Sequence, residues 1–393
     1  MLGVIGPAVL AALALAAPGA AAASPAKPDP VRAALSRAQT AGALDATRAE
    51  AYAATYGGAL SALPKLGGVR RRELRAAVHI VRDMAARGAL AAERMPLAFL
   101  TLQRNVEWWT AHGPPAAGSP GEKDVQGRRC KPLSAVRARA ARLSFPGSTI
   151  VWQYYRGLGL QLQVNGTFAA ATTLLQVATP DAIAQAARIL DEMRPLASHR
   201  GGALTWEYLF PFGGGKPPWG SGLSQATAIE AYSKAGVLLG REDYLQTARE
   251  LVGLFAMRPP AGVNLRLARD GSWFALYTFA PRTHVLNVQL DAVSALHDLA
   301  AATGDGRAAA LARDGLRAAR RHIGRFDTGR WSLYAETGPL ADLNYHVLNR
   351  DLARGLCQRT GEQAICHAWH SFSAELERRC PRVAPAARRE LTG

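Results

Sequence analysis

The chain has 393 residues, which is too long for one small domain and short for three. About half of the residues (49%) are apolar, so the chain can bury a large core. The formal net charge is +17, and such a charge raises the local concentration of any polyanion, whether nucleic acid, anionic lipid or acidic glycan, although scattered arginines can also simply solvate helix faces.

The N-terminus has the pattern of an export signal. An uncharged apolar run over residues 2–16 is followed by small residues at 20–23, which predicts a signal peptide over residues 1–24. No lysine or arginine precedes the run, so an uncleaved membrane anchor is the alternative. No later segment has 18 consecutive apolar residues. We therefore expect a protein that is secreted or held in the cell envelope, where nucleic acid is not a partner.

Export would permit disulfides, and the chain has four cysteines. Four cysteines allow three pairings, and we favour Cys357 with Cys366, which flank an apparent turn, and Cys130 with Cys380. The competing interpretation is a metal site formed by Cys366 with His367 and His370, but no CxxC or HExxH motif supports it.

Residues 25–112 are predicted to be a helical N-terminal region, entered through a short tether at 25–30. Apolar residues recur with helical spacing over 31–111, and one broad stripe is formed by Leu74, Ala77, Val78, Ile80, Val81 and Met84. Residues 113–130 follow as a linker with Pro/Gly breakers, which we take as a domain boundary.

Residues 131–393 alternate predicted strands and helices. A β-branched and aromatic strand is expected at 148–155, and helices from Leu158 onward. Thr179-Pro180 predicts a helix start, with the helix running to about Arg194. Two β-like insertions are expected, at 204–210 and as a hairpin over 263–277 that turns at Arg269-Asp270-Gly271. Further helices are expected at about 221–239, 242–257, 284–303, 306–324, 339–359 and 361–378.

The C-terminal part is thus predicted to have long helices joined by loops rich in Trp, Tyr, Gly and Pro, and helices in successive hairpins around an axis give an (α/α) toroid. We therefore predict a mainly α fold: an incomplete (α/α) toroid with short β-hairpin insertions, preceded by the helical N-terminal region. A solenoid of the TPR type is the alternative, but no 34-residue period appears.

Aromatic and polar residues concentrate in the loops between these helices, around 206–225, 273–287, 330–336 and 343–346. Aromatic platforms beside hydrogen-bonding side chains suit a sugar site, because pyranose faces are apolar and their edges carry hydroxyls. The alternative for any one tryptophan, such as Trp219, Trp273 or Trp331, is a place in the core.

Four motifs in these loops resemble, in order, the C-terminal domain of the D-glucuronyl C5-epimerases, over about Trp206 to Glu377. They are Pro218-Trp219-x-Ser221-x-Leu223-x-Gln225-Ala226, Tyr277 ahead of Val285-Leu286-Asn287, Asp327-Thr328-Gly329 with Ser332-Leu333-Tyr334, and Tyr345-His346. The resemblance implies an isomerase that acts on uronates in heparosan-type polysaccharide, and dimerisation is known in the family, so a homodimer is one option. No nucleotide or haem motif is visible in the sequence, so we predict no cofactor, and the motifs predict no metal site, although loops of a toroid can hold a Ca²⁺ without a motif.

The resemblance also implies the site residues. The tyrosines at the family's active-site positions are Tyr277, Tyr334 and Tyr345. The substrate-binding residues that we predict with them are Trp219, Ser221, Gln225, Arg282, Asn287, Glu336, His346 and Arg350.

C5 epimerisation removes a weakly acidic proton next to a carboxylate. The carboxylate must be neutralised, and two proton carriers must face opposite sides of the ring. A tyrosine has a free pKa near 10, so we expect a cation to lower it, with Arg282, Arg330 and Arg350 nearest in sequence.

Two positions depart from the family pattern. The family has a Glu before the first tyrosine and an Arg three residues after the second, and this chain has Leu276 and Thr337 there. These departures keep alternatives open: a lyase that expels the C4 oxygen, an inactive glycan-binding protein, or a hydrolase. A hydrolase needs two carboxyl groups, for which Glu207, Glu336 and Asp342 are the loop candidates.

Overall fold

The computed structural model of the chain describes residues 28–115 and 142–381. The signal peptide prediction, Cys130 and most of the predicted linker lie outside these ranges. The described chain is mainly helical, with three small antiparallel sheets. Within the described ranges, none of the helices has the length and apolar character needed to cross a membrane.

The N-terminal region is four helices, as the apolar spacing predicted: α1 (Pro30–Thr40), α2 (Ala46–Ala62), α3 (Gly68–Ala86) and α4 (Met95–Ala111). Asp29 and Asp45 cap the first two, each with its carboxylate accepting backbone N–H groups of the first turn. The whole predicted stripe of α3 is buried, from Leu74 to Met84.

A three-stranded sheet follows, formed by β1 (Arg142–Leu143), β2 (Trp152–Tyr155) and β3 (Gly159–Leu162). The predicted strand at 148–155 is therefore shorter. The expectation of a helix from Leu158 is wrong for the first residues, because 159–162 pair with β2 and the helix begins at Val164.

Two buried polar side chains attach this sheet to the N-terminal helices. The amide of Asn105 donates to the Leu160 carbonyl and accepts the Leu160 N–H, both at 2.8 Å. The carboxylate of Glu73, fully buried, accepts the Gly157 N–H at 2.7 Å. One hydrophobic core consequently runs from α1 through the sheet into the C-terminal helices.

The C-terminal helices form four successive hairpins: α5 (Val164–Val177) with α6 (Pro180–Met193), α7 (Gly222–Leu239) with α8 (Glu242–Leu251), α10 (Leu286–Thr303) with α11 (Gly306–His322), and α12 (Leu343–Thr360) with α13 (Gln363–Arg379). A short helix, α9 (Gly253–Ala256), follows α8. The first helix of each hairpin packs against the first helix of the next, in the order α5, α7, α10, α12. The mainly helical fold with small sheets is thus confirmed, and the closure of this row of inner helices into a toroid stays a prediction.

The sequence sets both ends of these inner helices. Ser221 and Asp342 cap α7 and α12 through their side chains. Gly240, Gly304 and Gly361 end α7, α10 and α12 with φ of 63°, 69° and 64°, a left-handed conformation that glycine adopts without strain. The chain can therefore reverse at once into the outer helix.

The β insertions are smaller than predicted. β4 (Ser198–Arg200) pairs with β5 (Ala203–Thr205), and the predicted hairpin is β6 (Asn264–Arg266) with β7 (Ser272–Phe274). Gly271 has φ of 99°, and a Cβ there would lie 2.2 Å from the Asp314 carbonyl oxygen, so only glycine fits.

The predicted disulfide between Cys357 and Cys366 is confirmed, and it joins α12 to α13 across the turn at Gly361. The alternative metal site at Cys366 is therefore wrong, because its sulfur is committed to the disulfide. Within the described ranges no group of His, Cys, Asp and Glu side chains is arranged to hold a metal ion. The predicted pairing of Cys130 with Cys380 involves Cys130, which lies outside the described residues.

Candidate active site

A cleft of about 210 Å³ lies where α5, α7 and α12 begin. Its walls come from the first turns of these helices, the β1–β3 sheet, and the loops that precede α7 and α10. Among the described residues that line it, Arg142 is the one cation and none is Asp or Glu. Helix N-termini carry partial positive charge, so the helix ends add to the preference for an anion.

Stacked aromatic rings form one wall of the cleft. Trp219 lies parallel to Tyr208 with ring centroids 4.2 Å apart, and its indole N–H donates to the Phe210 carbonyl at 2.7 Å. Tyr277 meets Trp219 edge-on at 5.3 Å. Phe212 also lines the cleft, and 38% of its surface is exposed. Trp219 thus has both roles considered for it, because it is buried in an aromatic cluster and it lines the cleft.

The structure brings the three predicted tyrosines together. Tyr277 and Tyr345 both line the cleft, and the exposed fraction of Tyr345 is 37%. The ring of Tyr334 lies behind Tyr345, edge to face, with centroids 4.7 Å apart. The Tyr334 carbonyl accepts the N–H of Leu286, which fixes this loop at the start of α10.

All three phenols are held in the protonated form. Burial raises the pKa of Tyr277 to about 12, with Tyr208 and Tyr345 adding to the effect. Burial also raises the pKa of Tyr334 and of Tyr345. Arg142 opposes this at Tyr345, but burial and Asp342 outweigh it. The expectation that a cation brings the tyrosine pKa below its usual value is therefore wrong.

Ser221 also lines the cleft, as predicted. It is the N-cap of α7, and its hydroxyl oxygen accepts the Ser224 N–H at 3.4 Å. The neighbouring Ser224 hydroxyl bonds the Tyr208 hydroxyl at 2.8 Å, which ties the helix start to the aromatic wall.

Other predicted substrate-binding residues lie outside the cleft. Gln225 is buried, with its amide donating to the Leu204 carbonyl and accepting from the Thr205 hydroxyl, both at 2.9 Å. Asn287 is buried in the first turn of α10. Neither side chain reaches the cleft lining, because both are packed in the core.

His346 is also a core residue rather than a cleft residue. Its ring stacks on Trp331 at 3.6 Å, its Nδ1 accepts the Ser332 N–H at 3.2 Å, and its Nε2–H donates to the Phe372 carbonyl at 3.1 Å. Burial lowers its pKa to about 4, so it is neutral near pH 7.

The three arginines predicted from sequence are not in the cleft either. Arg350 is buried and bonded to Asp351, with Nε and the carboxylate 2.8 Å apart. Arg282 and Arg330 are exposed and do not line the cleft. The cation that does line it, Arg142, carries no motif and is placed there by the pairing of β1 with β2.

The three loop carboxylates proposed for a hydrolase are all engaged elsewhere. Glu207 is buried between Arg94 and Arg200, at 2.5 and 2.7 Å. Glu336 binds His284 and Arg325, at 2.5 and 2.6 Å, so its predicted role in substrate binding would require breaking these pairs. Asp342 caps α12 through the Tyr345 N–H. None of the three lines the cleft.

Tyr155 is a cleft residue that the sequence analysis missed. It lies on β2, and its hydroxyl oxygen accepts the Gln163 amide N–H at 3.2 Å. Its aromatic neighbour is Phe210, at 4.9 Å. The signal available was the β-like pattern of 148–155, which places alternate residues on one face.

Residues 200–373 match the family model described as D-glucuronyl C5-epimerase C-terminus. The resemblance found in the sequence is thereby confirmed. All three tyrosines and Trp219 fall inside the matched range, whereas Arg142 and Tyr155 precede it.

A curated relative is an uncharacterized protein of Methanocaldococcus jannaschii, 26% identical over 166 residues. The match covers 41% of this chain, and the chain spans 54% of that relative's length.

Solved structures with a similar arrangement include the cellobiose 2-epimerase of Bacillus thermoamylovorans, with a TM-score of 0.42 and 11% identity over 55% of this chain and 60% of that one. A sugar epimerase from a ruminal bacterium gives 0.39 and 12%, with the same coverage. The cellobiose 2-epimerase of Spirochaeta thermophila gives 0.32 and 18%, over 40% of this chain and 43% of that one.

Proposed function

We propose that this protein is an epimerase of uronate residues in an acidic polysaccharide, and that Tyr277, Tyr334 and Tyr345 carry out the proton transfers. The observation that carries the proposal is that Tyr277 and Tyr345 line a cleft whose described lining has one arginine and no carboxylate, with Tyr334 packed against Tyr345 behind it. The motif resemblance in the sequence assigns these three to the active-site tyrosines of the family, and all three lie within the matched range.

In the proposed reaction a tyrosinate accepts the C5 proton, and the electron pair of the C–H bond moves toward the adjacent carboxylate. A neutral tyrosine on the other face then donates its proton to C5, which inverts the centre. The raised pKa values suit the donor. The tyrosinate base is present in only a small fraction of the molecules at neutral pH, because the pKa of each of the three tyrosines is raised. Only that fraction of the protein is active in the proposed reaction.

An acidic polysaccharide is the proposed partner because the cleft, the helix ends and the net charge all favour an anion. The disulfide between Cys357 and Cys366 supports the proposal that the protein works outside the cytoplasm, since such bonds persist in oxidising compartments.

Glycan binding without chemistry is a second candidate, and Leu276 favours it. This residue lines the cleft where the matched family has a glutamate, and it is 93% covered, packed against Val285 and Val288. An apolar side chain there can neither accept nor donate a proton.

Product analysis separates the candidates. Heparosan and other glucuronate-containing polymers would be incubated with the purified protein and their uronates identified by NMR. Iduronate signals would support the epimerase, a 4,5-unsaturated uronate would instead mean a lyase, and an unchanged polymer that still binds would mean a binding protein.

A further inference from the structure

Arg142 is the starting point, because it lines the cleft and none of the described acidic side chains is paired with it. Several arginines of the inner helices and the loops around them are paired with acids, such as Arg200 with Glu207 and Arg359 with Asp298. The bond found for Arg142 among the described residues is from its Nε to the neutral Gln153 oxygen, at 3.2 Å. Within the described ranges the two Nη groups of Arg142 make no further hydrogen bond or ion pair, so they can meet an anion in the cleft.

The fold holds this guanidinium over the beginning of α5. A Cβ built on Gly166 would lie 3.3 Å from Nη1 of Arg142, so the absence of a side chain lets the cation approach the helix. Asn165, in the same turn, lines the cleft. The positive charge of Arg142 and the partial positive charge of the α5 N-terminus therefore lie close together.

The charge of Arg142 reaches the phenols of the cleft. It lowers the pKa of Tyr155, Tyr208 and Tyr345, although burial outweighs it at each. Because these three tyrosines line the cleft, Arg142 is also close enough to interact with a ligand bound there. Tyr155 adds a neutral donor, since its oxygen already accepts from Gln163 and its own proton is available.

The residue at position 337, a threonine, bears on the role of Arg142. By the resemblance stated from the sequence, this position is an arginine in the family, and here the threonine is exposed and outside the cleft lining. A substrate carboxylate needs a replacement partner, and guanidinium binds carboxylate through two parallel N–H bonds.

We infer that Arg142 binds the uronate carboxylate in this cleft, with Tyr155 as a neutral hydrogen-bond donor beside it. The inference rests on the proposed function for its ligand class. It assigns carboxylate recognition to the small sheet ahead of the matched region rather than to the loop after Tyr334.

The test combines a protein change with a polymer change. Binding of heparosan and of carboxyl-reduced heparosan, in which the uronates are converted to neutral sugars, would be measured for the wild type, Arg142→Gln and Arg142→Lys at constant ionic strength. Arg156→Gln is the matched control, an exposed arginine on the turn after β2 that does not line the cleft.

We expect Arg142→Gln to weaken binding of heparosan about tenfold to a hundredfold, the usual range for a charge-assisted hydrogen bond. Carboxyl reduction should weaken wild-type binding by a similar factor and hardly affect the variant, because both changes remove the same interaction. Arg142→Lys should fall between, and Arg156→Gln should behave as wild type.

The assignment would be overturned if Arg142→Gln weakened binding of both polymers equally. It would also be overturned if the wild type bound both polymers with the same affinity, or bound neither. Failure of the proposed chemistry looks different: the carboxylate-dependent loss would be present, but no uronate would be converted.

Discussion

The rings of Tyr334 and Tyr345 meet edge to face with their centroids 4.7 Å apart, although one belongs to a loop and the other to the first turn of α12. Asp342 fixes the second partner, because its carboxylate caps the helix at the Tyr345 N–H, 2.8 Å away. This contact positions two candidate proton carriers together, with Tyr277 on the same cleft.

Replacing a cleft tyrosine by phenylalanine removes one hydroxyl and little else. We expect Tyr277→Phe and Tyr345→Phe each to lower the rate of C5 proton exchange by about 10²–10⁴, the usual contribution of a positioned acid or base. Tyr52→Phe is the control, since Tyr52 stacks on Phe99 in the N-terminal region and lies outside the cleft lining. Full activity in both cleft variants would remove these residues from the mechanism.

The activity should rise with pH. Because burial raises the pKa of Tyr277 to about 12 and also raises those of Tyr334 and Tyr345, the tyrosinate fraction grows about tenfold per pH unit between pH 7 and 9, whichever of them is the base. A profile of kcat against pH should show this slope. A plateau already reached at pH 7 would show that the base is another group.

His346 should make the protein less stable in acid. Its pKa is about 4 when folded and near 6.5 when unfolded, so the unfolded state binds more protons in that window and stability falls as the pH drops from 6.5 to 4. The shift corresponds to a loss of about 3 kcal/mol in the free energy of unfolding. Urea unfolding at several pH values measures it.

The exposed His79 provides the comparison for that experiment. His79→Gln should keep the acid-induced loss, whereas His346→Gln should be less stable near pH 7 and show a smaller dependence on pH. Identical pH dependence in the wild type and His346→Gln would contradict the role of the buried ring.

Glu207 should matter for stability and not for the chemistry. Glu207→Gln leaves Arg94 and Arg200 largely covered without their counter-charge, so we expect a loss of about 3 kcal/mol in the free energy of unfolding. Glu242→Gln, which removes an exposed partner of Arg249, should cost well under about 1 kcal/mol. Loss of activity at unchanged stability would instead return Glu207 to the candidates for a catalytic acid.

Much of the helical framework could be predicted from the sequence because its signals are local. The apolar stripe of α3 and the Thr179-Pro180 start of α6 depend on neighbours along the chain. The short strands could not be bounded in this way, since Gly159–Leu162 is a strand only through its pairing with β2.

The site was predicted only where a motif marked it. Tyr277, Tyr334 and Tyr345 were found through their surroundings in sequence, but His346, in the same motif as Tyr345, points into the core and stacks on Trp331. Adjacent helical residues face different directions, so a motif match cannot separate a cleft residue from a packing residue. Arg142 needed the fold itself, because its position depends on the pairing with Gln153.

The most direct test of the account is exchange of the C5 proton. The purified protein would be incubated in D₂O with heparosan and related glucuronate polymers, and the H5 signal would be followed by NMR. The account predicts that wild-type protein replaces H5 by deuterium and that Tyr345→Phe largely abolishes this. Binding of these polymers without any loss of the H5 signal would contradict it, and the cleft would then be a site for recognising acidic glycan.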